Sequence, residues 1–195
     1  DMVPVFAETG DVRAAEVYYK SLPNGEKYFR TLLVMLADEY VKAGKDAEAV
    51  SAYRRLIELA PNDPAALSYE AEILKAYIRE QDSQRVLSQM KRIVAILDPS
   101  SPWMTANKDP DRIEEFKESA EFAISKYTFE VYDAAMKLNR FESLNEAELY
   151  TEYYLKSFPK AQNAYAVQMM ISEAQWKLAS HGKAPSKEFQ IKKYL

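Results

Sequence analysis

Leu33-x-x-Leu36-Ala37-x-x-Tyr40, then Gly44, then Ala49-x-x-x-Tyr53, Leu56 and Pro61, is the stretch whose spacing decides the fold. Apolar residues three and four apart mark two amphipathic helices, over about residues 28–43 and 46–59. Ala37 and Ala49 are small where the two helix axes must approach. Gly44 stands where the first helix has to stop, and glycine takes the left-handed C-terminal conformation cheaply. Pro61 and Pro64 follow the second helix, and neither can continue it. A pair of this kind cannot bury both of its faces alone and must stack on neighbours.

The same spacing recurs outward in both directions. A shift of 34 places Gly10 on Gly44, Ala15 on Ala49, Tyr19 on Tyr53 and Leu22 on Leu56. After Pro64, residues Leu67, Ala71 and Leu74 keep that offset from Leu33, Ala37 and Tyr40. Pro99 lies 38 residues after Pro61, which predicts about four residues inserted around the turn at Glu80–Ser83. The helix after that turn, roughly 82–97, carries Val86, Leu87, Met90, Ile93, Val94 and Leu97 on one side. A further unit ends at Pro159, with Ala135, Leu138, Ala147 and Tyr154 at the distances that Ala37, Tyr40, Ala49 and Leu56 keep from Pro61. Its first helix extends back to about residue 111 and runs to 138. Asn145 and Glu148 offer a capping box for a short helix after it. Residues 161–180 read as a helix with Ala164, Val167, Ile171, Ala174 and Leu178 inward, and 185–194 could supply part of its partner. Residues 1–9 could form only the tail of a helix, against which Pro4 weighs.

The pattern resembles the tetratricopeptide repeat (TPR) family, in which a large residue, Leu-Gly, Tyr, Ala, an aromatic and Pro recur over about 34 residues. Ala37 stands at the family's small glycine and Leu33 at its frequent tryptophan. The resemblance implies an all-α, TPR-like helix-turn-helix solenoid, a right-handed superhelix of about 8–9 helices with degenerate repeats. A single solenoid over 1–195 would hold repeats at about 10–27 (partial), 28–63, 64–99, 111–161 and 162–195 (partial), with a proline-rich loop at 98–110. In this family the first helix of each pair lines a concave groove that takes a peptide or helix of another protein. Carried over by register, the groove would show Thr31, Val34, Asp38 and Val41, then Ser68, Glu72 and Lys75, then Phe129, Tyr132, Met136 and Asn139. TPR domains that clamp C-terminal carboxylates use Lys, Arg and Asn there, and only Lys75 and Asn139 qualify. An apolar or basic peptide or helix suits this mixed apolar and acidic surface better.

The stretch Tyr150-Thr151-Glu152-Tyr153-Tyr154-Leu155-Lys156-Ser157-Phe158-Pro159, leading into Ala164-Tyr165-Ala166 and on to Trp176, is similar to bacterial envelope proteins such as outer-membrane assembly lipoproteins and Tol-Pal-associated periplasmic coordinators. That similarity implies a periplasmic or otherwise extracytoplasmic scaffold, with a cytoplasmic setting as the alternative. The chain starts at Asp1 rather than Met, so it reads as a processed or excised piece from which a targeting signal could have been cut.

Composition narrows the function classes. The 195 residues are 48% hydrophobic and 12% aromatic, enough to bury a core without disulfides or metals. A net charge of −4 gives no basic excess with which to hold nucleic acid. Four glycines leave no glycine-rich phosphate loop, and zero cysteines with one histidine remove thiol chemistry and the usual zinc sites. No apolar run approaches the length of a membrane helix. His181 sits beside Gly182 with no nucleophile or orienting carboxylate nominated near it. Glu114, Glu118 and Glu121 share one helical face, but Lys117 and Lys126 in the same helix make it a solvated charged face. No catalytic residue, metal or cofactor is therefore expected. Of the 14 tyrosines, Tyr19, Tyr40, Tyr53 and Tyr154 stand at core positions, and the remainder could supply contact surface. Trp103, in the loop at 98–110, either anchors a partner or folds back over a helix end.

The functional expectation is a non-enzymatic scaffold for protein–protein interaction. Two alternatives remain: a spacer or oligomerisation segment that stacks through its solenoid ends, and a helical ligand carrier with a cavity near the loop and the Glu114 face.

Overall fold

The computed structural model describes residues 3–9 and 12–180, and every element among them is a helix. In chain order these are α1 (Val3–Thr9), α2 (Val12–Ser21), α3 (Gly25–Lys42), α4 (Asp46–Leu59), α5 (Ala66–Arg79), α6 (Ser83–Ile96), α7 (Pro102–Ala106), α8 (Pro110–Leu138), α9 (Phe141–Ser157) and α10 (Ala164–Ser180). The fold is all-α and built from TPR-like helix pairs. The chain divides into two compact units, Asp1–Ala120 and Glu121–Leu195.

In the first unit each helix packs on the next: α2 on α3, α3 on α4, α4 on α5 and α5 on α6, with α1 also against α3. The repeat residues make the core. Ala15 and Tyr19, Leu33, Ala37 and Tyr40, Ala49, Tyr53 and Leu56, and Leu67, Ala71 and Leu74 are all buried. Gly44 has φ +69°, and a side chain there would meet nothing within 4 Å, so its backbone conformation is what favours glycine. The amide of Gly44 donates to Val41 O and that of Lys45 to Tyr40 O, a Schellman turn. Gln81 takes the same left-handed position at φ 56°, with Gln81 N to Ile78 O and Asp82 N to Tyr77 O. It lies 37 residues after Gly44, so the insertion is three residues at the end of α5 rather than about four. A glycine the repeat pattern does not flag, Gly25, opens α3 where a Cβ would come within 2.2 Å of the Tyr19 carbonyl.

Between α4, α5 and α6 lies a polar cluster within the apolar stack. Glu70 is fully buried, and its carboxylate accepts from Arg54 at 2.9 Å, Arg92 at 2.5 Å and Gln89 at 2.6 Å. Arg54 also donates to Gln89 Oε1 at 2.6 Å. Mutual bonding of this kind satisfies a carboxylate that would otherwise be costly to desolvate.

In the second unit α9 packs on α10, and Tyr127 of α8 meets Tyr150 of α9 edge to face at 5.1 Å between ring centroids. Leu144, Ala147, Tyr150 and Tyr154 of α9 and Val167, Ile171, Ala174 and Leu178 of α10 are buried. The long helix expected over 111–138 is α8.

Three local expectations change. Residues 3–9 are helical despite Pro4, which falls in the first turn, where no amide is needed. Helix α9 starts at Phe141, with Arg140 at its N-cap making no side-chain capping bond, so the Asn145 capping box does not form. The loop at 98–110 contains α7, a single turn with Ser101 accepting from Met104 N and Pro102 in first position. His181 and the segment 185–194 lie outside the described residues.

Candidate interaction groove

Helices α3 and α5 are successive first helices, and the 34-residue offset puts Asp38 and Glu72 at equivalent places on them, as it does Val34 and Ser68. Burial of Leu33, Leu36, Ala37 and Tyr40 turns one side of α3 into the stack, which leaves Asp38 exposed on the other. A depression of about 420 Å³ opens there, lined by Asp38, Val41, Lys42, Tyr53, Ser68, Tyr69 and Glu72. Four of the residues expected in the groove, Asp38, Val41, Ser68 and Glu72, are thus brought together. Val34 is half-buried and does not line the depression.

Tyr53 comes from α4. Its ring stacks on that of Tyr69 at 5.6 Å with 21° between the planes, and its hydroxyl donates to Asp38 Oδ1 at 3.1 Å. Burial first, and then the Asp38 carboxylate, push the Tyr53 phenol well above its ordinary range, so it remains a donor at any physiological pH. Burial likewise raises Tyr69. The basic residues beside the depression are neutralised: Lys42 pairs with Glu39 at 2.7 Å and Lys75 with Glu72 at 2.7 Å. Asp38 makes no ion pair among the described residues, so the site carries an excess of negative charge beside two aromatic rings.

The remaining predicted residues lie elsewhere. Phe129, Tyr132 and Met136 belong to the second unit. Tyr132 is 8% exposed and its hydroxyl donates to Glu173 of α10 at 2.6 Å, so it braces α8 on α10 instead of lining an open groove. Phe129 and Met136 are half-buried, and the Met136 carbonyl accepts from Lys177 at 3.4 Å. Trp103 is 3% exposed, with its indole N–H donating to the Asp63 carbonyl at 2.8 Å and its ring edge-on to Phe116. It folds back into the first unit, which removes it as an exposed partner anchor. A void of about 110 Å³ beside it, lined in part by Asn107, Arg112 and Phe116, is small for an organic ligand.

On the acidic face, Glu114 sits 3.8 Å from Lys117, and Glu121 accepts a hydrogen bond from the Tyr154 hydroxyl. No group of three or more acidic or histidine side chains among the described residues is arranged to hold a metal, and no described helix is long and apolar enough to cross a membrane.

The sequence register missed Tyr69 and Lys42 as lining residues and placed Tyr53 only in the core. Tyr69 stands 34 residues after Met35, a position that the expected groove set passed over.

Residues 30–73 match a family model described as a tetratricopeptide repeat. Repeats of this family generally mediate protein–protein interaction. No curated protein matches the chain. The matched segment contains every residue that lines the depression between α3 and α5.

Proposed function

We propose that this chain is a non-enzymatic scaffold that holds a segment of a partner protein, extended or helical, in the depression between α3 and α5. The observation that carries the reading is the make-up of that depression: two carboxylates at equivalent repeat positions, a stacked tyrosine pair and the apolar Val41, all within the matched repeat segment. This surface is complementary to a basic side chain flanked by apolar ones. Asp38, the carboxylate without an ion pair among the described residues, attracts the charge, and the half-buried Tyr69 ring, backed by Tyr53, takes the aliphatic stem or the cation itself. The aromatic stretch before Pro159 supports a bacterial envelope complex, outside the cytoplasm, as the setting.

Panning a random peptide library on the immobilised chain tests this. Retained peptides should share Lys or Arg between apolar residues and weaken with added salt. Asp38→Lys should abolish retention with far-UV circular dichroism unchanged, because Asp38 is exposed. Enrichment of acidic peptides, or retention indifferent to Asp38→Lys, would show that the groove is assigned to the wrong place or the wrong chemistry.

A further inference from the structure

The face of α10 opposite its buried side presents a row of large apolar residues to solvent. Tyr165 is 78% exposed, Met169 57% and Trp176 72%, with the small, exposed Ser172 between them. Val167, Met170, Ile171, Ala174 and Leu178 on the other side are buried. A helix apolar on both sides belongs between two neighbours, and α9 supplies one.

Register says what the bare face is. Counted from the proline that ends the preceding unit, Pro61 or Pro159, the places held by Leu67, Ala71 and Leu74 in α5 are held by Tyr165, Met169 and Ser172 in α10. In α5 those residues are buried. The row on α10 is therefore a helix-packing face continuous in kind with the stack. At the distances from Tyr165 that Ala49, Tyr53 and Leu56 keep from Leu33, the sequence has His181, Pro185 and Glu188. None of the three is the alanine, tyrosine or leucine that the repeat carries at that place.

We propose that a second copy of this chain covers this row, α10 packing antiparallel on α10 about a two-fold axis. The spacing 165, 169, 172, 176 is four, three, four, the seam of a helix pair, and it reads the same in both directions. Antiparallel pairing sets Tyr165 against Trp176 of the other copy, aromatic to aromatic, and Met169 against Ser172, large to small. Beside the seam the same symmetry brings Glu173 opposite Gln168, so no like charges meet. An interface of this kind uses one patch twice and closes as a dimer.

Sedimentation of the whole chain from low to high micromolar concentration tests the proposal. Wild type should pass from one to two chain masses, and Trp176 emission should shift to the blue over the same range, while the buried Trp103 contributes a constant signal. Met169→Glu, at an exposed position, should keep the helicity and weaken the dimer by about tenfold or more, since the carboxylate would be desolvated in the seam. A monomer at every concentration would overturn the proposal, whether Trp176 emits as exposed or as covered by its own chain. A dimer indifferent to Met169→Glu would overturn it equally.

Discussion

Glu16 and Glu70 are both carboxylates gripped by arginines across helices, but their surroundings differ. Glu70 is closed in on all sides by Arg54, Arg92 and Gln89, and its bonds answer its burial. Glu16 lies nearer the surface, bonded to Arg55 at 2.6 and 2.9 Å and to Lys20 at 2.9 Å. The Arg55 hydrogen bond, opposed by burial and helped by Lys20, pulls the Glu16 carboxyl down to about 2 from an ordinary 4.5. A folded-state value below the unfolded one means the ion pair stabilises the fold above pH 4.5, and that this is lost as pH falls towards 2. Arg55 and Lys20 keep about a third of their side chains in water, so screening reduces the contribution to about 1–2 kcal/mol. Glu16→Gln should therefore lower stability by about that amount at neutral pH and by almost nothing near pH 2. Urea unfolding of both proteins across that range reads the difference directly. Parallel stability curves would mean that Glu16 does not carry it.

At the scale of elements, the regular parts were legible and the irregular ones were not, for physical reasons that differ from case to case. The helices α3, α4 and α8 follow from long runs of apolar spacing, where a buried face and a hydrophobic period are the same thing. Helix α7 escaped because a single turn has no period; only its capping pair, Ser101 and Pro102, was available to mark it. Helix α9 shows a local signal overruled. Asn145 and Glu148 fit a capping box, but burial of Leu144 draws the helix start five residues back, from Asn145 to Arg140 at the cap, leaving Asn145 exposed inside it. The preceding turn moves with it, as Asn139 takes the left-handed position at φ 49°. The two assignments differ in sign on substitution. Asn145→Ala at a cap would cost about 1 kcal/mol. Within a helix, on the exposed side, it should raise stability by about 0.5 kcal/mol, because alanine is the better helix former. Thermal or urea unfolding of that one variant distinguishes them, and a clear loss of stability would return the helix start to Asn145.

Across the molecule, what the 34-residue register could show of the site was position, not company. It placed Asp38 and Glu72 together because both sit on first helices one repeat apart. It could not show that Tyr53 reaches over from a second helix to bond Asp38, or that Lys42 and Lys75 are neutralised by their own neighbours. The same repeat distance governs how the first unit holds together. Arg30 pairs with Asp63 and Asp46 with Arg79, each 33 residues apart, and Arg54 with Gln89 at 35, so polar links as well as apolar ones join successive pairs. Stability built this way is a sum of each pair and its contacts with the next. Leu67 is buried where α5 enters the stack, and Leu67→Ala should cost about 2–5 kcal/mol by leaving a cavity. The loss should be local. Hydrogen exchange on the variant should show protection falling most in α5 and in its neighbours α4 and α6, less in α3 and least in α2. Tightly bonded amides at the far end would keep exchanging by the route they use in the wild type. If α2 through α6 lost protection by one common factor, the unit would be unfolding as a single cooperative block, and the nearest-neighbour account of its stability would have to be abandoned.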